Sequence, residues 1–149
     1  MNADELLRHW RAVRRGLFSA LDQLADEQLA FVPREGMWSL GTVARHIANT
    51  EEGWFRYVAT RELDEWPPFV EEAPATVESI KNLLAEVHDR TETYLGTVDE
   101  ADLDGTIAAP WGETLTLRWI LWHVLEHEIH HRGEIYLMLG LMGMEAPDV

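Results

Sequence analysis

Apolar residues recur along this chain at alternating steps of three and four, and four stretches carry that pattern. In the first, Leu6, Trp10, Val13, Leu17, Ala20 and Leu24 form a seam of the coiled-coil kind, which predicts a helix from Ala3 or Asp4 to about Gln23. Arg8, Arg11, Arg14 and Arg15 lie off that seam, which assigns them to a solvated face. Asp26 is placed to cap one short turn, Glu27 to Phe31, which Pro33 ends. Arg34 to Met37 reads as a loop. Ser39 then reads as an N-cap, with Trp38 before it set to pack on Val43, although Thr42 three residues on leaves the capping box incomplete. The second helix is predicted to run to about Arg61 with Leu40, Val43, Ile47, Thr50, Trp54 and Val58 as its seam and His46 at its edge.

Pro67, Pro68 and Pro74 exclude a long helix between Leu63 and Ala75. Those residues extend to about 43 Å, more than the ~30 Å of a 20-residue helix. The segment is therefore long enough to cross a whole bundle. The third helix is predicted from a Thr76 cap to about Gly96, with Val77, Ile80, Leu84, Val87, Thr91 and Tyr94 as its seam and His88 beside it as a surface or boundary residue. Thr97 to Glu113 is rich in Asp, Gly and Pro and reads as turns. Thr114 or Thr116 then caps the last helix, centred on Trp119 to Met142. No alternating strand pattern is evident. The prediction is an all-α four-helix bundle forming one domain over 1–149.

The last helix changes the picture, because its apolar arc contains histidines. With His127 at zero and 100° per residue, Ile120 and Met138 fall at about +20°, Val124 at about +60°, His131 at about +40° and Glu134 at about −20°. His123 and His130 flank the arc at about −40° and −60°. Two readings stand: neutral core histidines, each hydrogen-bonded, or an i, i+4 pair that grips one cation and so offsets the cost of desolvating several imidazoles. Metal sites in bundles are assembled from facing helices, and His46 is the only histidine on the second. Trp122, at about +220°, points away from the core and hints at a subunit interface.

Composition narrows the partners. Twelve basic residues against 27 acidic ones give a net charge of −15, which argues against nucleic acid and anionic membrane surfaces and favours cationic partners such as metal ions. With no cysteine, disulfides and a thiolate nucleophile are excluded, and any metal is held by nitrogen and oxygen. No charged-then-apolar leader opens the chain and no apolar run approaches the ~18–20 residues of a membrane span, so a cytoplasmic location is expected.

Trp38-Ser39-Leu40, then His46, and finally His127-Glu128-Ile129-His130-His131-Arg132-Gly133-Glu134-Ile135 resemble the DinB/YfiT-like superfamily of metalloproteins. The resemblance implies an up-down-down-up bundle with a crossover between helices two and three, often dimeric, with His46, His127 and His131 as ligands of a divalent metal. Zinc or nickel is commonest, while a nitrogen-rich site also admits iron, cobalt or copper. Relatives often carry Gln where this chain has Glu134, which implies a carboxylate that orients a histidine or joins the metal. Members include enzymes that use low-molecular-weight thiols. The first functional expectation is therefore a thiol S-transferase acting on electrophiles in stress response or detoxification, with Glu134, Glu51 and Tyr57 as polar groups near the metal. A non-catalytic, stress-induced metal-binding protein is the alternative. A third reading follows from His127-Glu128-Ile129-His130-His131, which fits H-E-x-x-H, a zinc hydrolase motif with Glu128 as base. Against it, Glu128 falls at about +100°, the margin of the arc.

Overall fold

The structure is a computed structural model that describes residues 2–71, 73 and 75–149; the Pro74 used above lies outside them. Four long helices pack together: α1, Ala3–Leu21; α2, Leu40–Glu52; α3, Val77–Leu95; and α4, Leu117–Leu141. Local chemistry sets their starts. Asn2 accepts from the Glu5 amide while Glu5 accepts from the Asn2 amide, a reciprocal capping box. Ser39 caps α2 through the Thr42 amide, Thr76 and Ser79 cap α3 reciprocally, and Thr116 caps α4 through the Trp119 amide. Asp26 does not cap the short 3-10 turn that it opens, Asp26–Ala30. Its carboxylate accepts instead from the Val77 amide at the start of α3.

Beyond Glu52 the second helix continues as a π-helix, Gly53–Ala59, in which the Thr60 amide reaches back five residues to the Phe55 carbonyl. It ends at Arg61, whose φ of 58° is left-handed and whose guanidinium donates to the Ala108 carbonyl. Gly53 is required here by packing: a Cβ would come within 2.3 Å of the Trp66 ring.

The all-α expectation is corrected at one point. Thr106–Ala108 (β1) and Thr114–Thr116 (β2) form a small antiparallel hairpin, with Ile107 opposite Leu115. Three residues per strand are too few to display a period of two, so the turn-rich composition hid them. Among the described residues no helix is long and apolar enough to cross a membrane.

Contacts fix how the helices lie. Gly41 approaches Ile80 and Glu51 meets His88, pairs that advance together along α2 and α3. Along α2 and α4 the order reverses, since His46 meets His131 while Trp54 meets His123. Buried side chains form two separate apolar clusters. One holds Leu17, Leu21, Ile47, Leu84 and Ile135; the other holds Trp10, Phe55, Leu103, Ile120 and Leu125.

Between them lies a charged layer that corrects the expectations for Arg14 and His88. Arg14, assigned above to a solvated face, is buried, as are His88, Glu51 and Glu128. The Arg14 guanidinium donates to both oxygens of Glu128 (2.8 and 2.7 Å), to Glu51 Oε2 (2.7 Å) and to the Leu84 carbonyl (2.9 Å). Trp10 Nε1 donates to Glu128 (2.5 Å), and His88 Nδ1 lies 2.8 Å from Glu51 Oε1. Burial by itself lowers the Arg14 pKa, yet Glu128 and Glu51 outweigh it and hold the guanidinium charged. Burial likewise favours a neutral Glu51, but Arg14 and His88 prevail and keep the carboxyl below its ordinary value. Arg8, Arg11 and Arg15 are exposed as expected.

Candidate functional site

α2 and α4 face each other across the bundle, and the three histidines expected to converge do so. His46 Nε2 and His127 Nε2 lie 3.0 Å apart, and the ring centroids of His131 stand 4.9 Å from His46 and 4.3 Å from His127. One nitrogen from each ring falls within 4.8 Å of the other two. The i, i+4 spacing stacks His127 and His131 on one face of α4, and Ser39 sets the start of α2 so that His46 reaches them.

All three rings are half-buried. Burial, reinforced by the neighbouring His131, His46, His123 and His130, pushes His127 down to about 3. His46 is lowered by burial and then by His131, with Glu134 opposing. Both imidazoles are therefore neutral at ordinary pH, with lone pairs available. Glu134 Oε2 lies 2.7 Å from His131 Nδ1, which assigns the proton to that nitrogen and leaves Nε2 as the donor. Thr50 Oγ1 lies 3.3 Å from His127 Nε2, and His127 Nδ1 is buried without a partner.

The set fits a divalent cation. Nitrogens bound at ~2.0–2.1 Å and 90–110° apart are separated by about 2.9–3.4 Å, a range that includes the His46–His127 spacing. The donors are neutral nitrogens, and no sulfur competes.

The other candidates fall elsewhere. Glu51 is committed to Arg14 and His88 inside the bundle, and Tyr57 packs edge-on against Trp66. Both oxygens of Glu128 are held by Arg14 and Trp10, so the carboxylate is not free to serve as the base of an H-E-x-x-H site. His130 is exposed, 3.2 Å from Glu134. His123 stacks on Trp119 (4.7 Å, 10° between planes) and meets Trp54 edge-on. Trp38 and Phe69 press their rings against His46 at 4.8 and 5.5 Å. The cluster is thus bracketed by aromatic side chains. No sequence signal pointed to that bracket, since Phe69 sits in the proline-rich segment, where no period applies.

Fold and cluster together define a helical bundle with a three-imidazole group between facing helices. The chain belongs to the DinB family, whose sequence profile matches residues 1–149. It is 23% identical over 144 residues to the uncharacterized protein YjoA of Bacillus subtilis, covering 95% of this chain and 91% of that one. It is 28% identical over 129 residues to YizA of the same organism, covering 85% and 79%. A DinB-like protein from Bacillus cereus superposes with a TM-score of 0.82 at 21% identity, over 99% of this chain and 97% of that one. YfiT from Bacillus subtilis, described as a probable metal-dependent hydrolase with an unusual four-helix bundle topology, superposes with a TM-score of 0.76 at 24% identity, over 95% and 88%.

Proposed function

We propose that this protein is a cytoplasmic metal-dependent enzyme in which His46, His127 and His131 hold one divalent ion, zinc or nickel before iron, cobalt or copper, and which transfers a low-molecular-weight thiol to an electrophile in stress response or detoxification. The observation that carries it is the donor count: three half-buried imidazoles make up the group, the pattern of sites that keep a position open, whereas structural sites close with four protein ligands. A divalent cation there supplies Lewis acidity, which lets a thiol or a water lose its proton at neutral pH. The neighbouring carboxylates are already engaged, Glu128 by Arg14 and Glu134 by His131. With these described carboxylates engaged, a thiol with a pKa near 8.5 is a better nucleophile source than water at about 15.7. The aromatic flanks suit the apolar body of an electrophile.

Hydrolysis is the second reading, favoured by the description of YfiT. An up-down-down-up order, with residues 60–76 as the crossover, belongs to the same proposal and is supported by the paired contacts of α2 with α3. So does a homodimer: α4 is apolar on its outer side as well, where Trp119, Trp122, Leu137 and Leu141 are exposed.

The test is elemental analysis of wild type beside His127→Ala, then a panel of small thiols with a chromogenic electrophile and a parallel panel of esters and amides. Wild type carrying about one ion per chain that the variant lacks, together with thiol-dependent product, supports the proposal. Hydrolysis without thiol dependence favours the second reading, and metal without turnover leaves a binding protein. Full metal content in His127→Ala refutes the ligand set.

A further inference from the structure

Stability alone is a weak explanation for the charged layer behind the histidines. Replacing a buried ion cluster by well-packed neutral side chains is often neutral or stabilising, so its presence calls for another explanation. The best-attested use of such groups is to fix register.

Its position answers what is being registered. Glu128 directly follows His127 on α4. Glu51 directly follows Thr50, whose hydroxyl lies 3.3 Å from His127 Nε2, and comes five residues after His46 on α2. One guanidinium, reaching in from α1, holds both carboxylates, Glu128 bidentately and Glu51 through Nη2, and reaches the α3 backbone at Leu84. A metal site tolerates about ±0.2 Å in its bonds, whereas a slip of one residue along a helix is ~1.5 Å with a 100° turn. The two helices that carry the histidines cannot slip past each other without leaving a carboxylate buried and unpaired.

We propose that Arg14, through Glu51 and Glu128, is the positioning residue of the metal centre: it sets the register of α2 against α4 and thereby the spacing of His46 from His127 and His131. This rests on the metal-site reading above.

The test is Co(II) titration of the full chain, followed by its visible absorption, with circular dichroism and thermal melting as the check on folding. The principal variant is the triple Arg14→Met, Glu51→Gln, Glu128→Gln, which removes the guanidinium together with both carboxylates it holds. The second is Arg14→Lys, which keeps the charge but not the two-armed grip. The triple variant is expected to fold, to bind Co(II) at least tenfold more weakly and to show altered bands; Arg14→Lys falls between it and wild type. A folded triple variant that binds within twofold of wild type with the same spectrum overturns the proposal. If the triple variant does not fold, the same criterion applied to Arg14→Lys decides. Wild type that takes up no Co(II) sinks the metal reading and this one with it, whereas equal binding by wild type and variant sinks this one alone.

Discussion

Removing only Arg14 should be far more damaging than removing the whole charged group. In Arg14→Met the guanidinium's four hydrogen bonds disappear, while Glu51 and Glu128, 0% and 1% exposed, stay where they are. Deleting one partner of a buried ion cluster costs about 3–5 kcal/mol. Domains have about 5–15 kcal/mol in total, so about a fifth or more of the stability goes. At ~2–4 °C per kcal/mol for a chain of this size, the melting temperature drops by roughly 6–20 °C. The pH dependence gives a sharper check. In wild type the Glu51 carboxyl is held below its ordinary value, so its contribution is complete above that value and fades as pH falls through the lower, folded one. Without Arg14, burial acts with less opposition and pushes the same carboxyl up. Its penalty is then largest at high pH and is relieved as the group takes up a proton on acidification. Urea unfolding of both proteins at pH 8 and pH 5 measures the gap, which should be largest at pH 8 and narrow toward pH 5. A gap below about 1 kcal/mol at pH 8, or one that does not change, refutes the reasoning.

Glu134→Ala removes the acceptor from His131 Nδ1; metal affinity should fall about 10–100-fold by competition with a chelating dye, with unfolding free energy unchanged within about 0.5 kcal/mol. Gly53→Ala drives a methyl to 2.3 Å from Trp66, a ring already tied to Asn49 by a 3.1 Å hydrogen bond; crowding should outweigh the gain in helix propensity and lower stability by about 1–2 kcal/mol, with a change in tryptophan fluorescence. Thr116→Ala deletes the side-chain cap of α4 and should cost about 1 kcal/mol in urea unfolding without altering the absorption of the Co(II) form.

The helices were legible because their signals are local. Period and cap chemistry lie within a few residues of one another, and Ser39, Thr76 and Thr116 each start a helix where the seam begins. The convergence of His46 with His127 and His131 was legible from an i, i+4 pair on an apolar arc together with the family resemblance, which adds the one histidine of the second helix. The charged layer was not legible. Arg14 looks like an ordinary surface charge on its own helix, and its partners Glu51 and Glu128 stand 37 and 114 residues away in sequence. The hairpin was too short to show alternation, and no local period distinguishes the π-helix Gly53–Ala59 from the α-helix before it.

The two apolar clusters have a consequence for local unfolding. Because each closes on its own side of the polar waist, side-chain packing relays little strain between them. The end around Leu29, Leu40 and Ile80 is expected to open separately from the end around Phe55, Leu103 and Ile120. Amide exchange should therefore sort into two populations divided at the level of Arg14, and each end is free to diverge in sequence without unsettling the other.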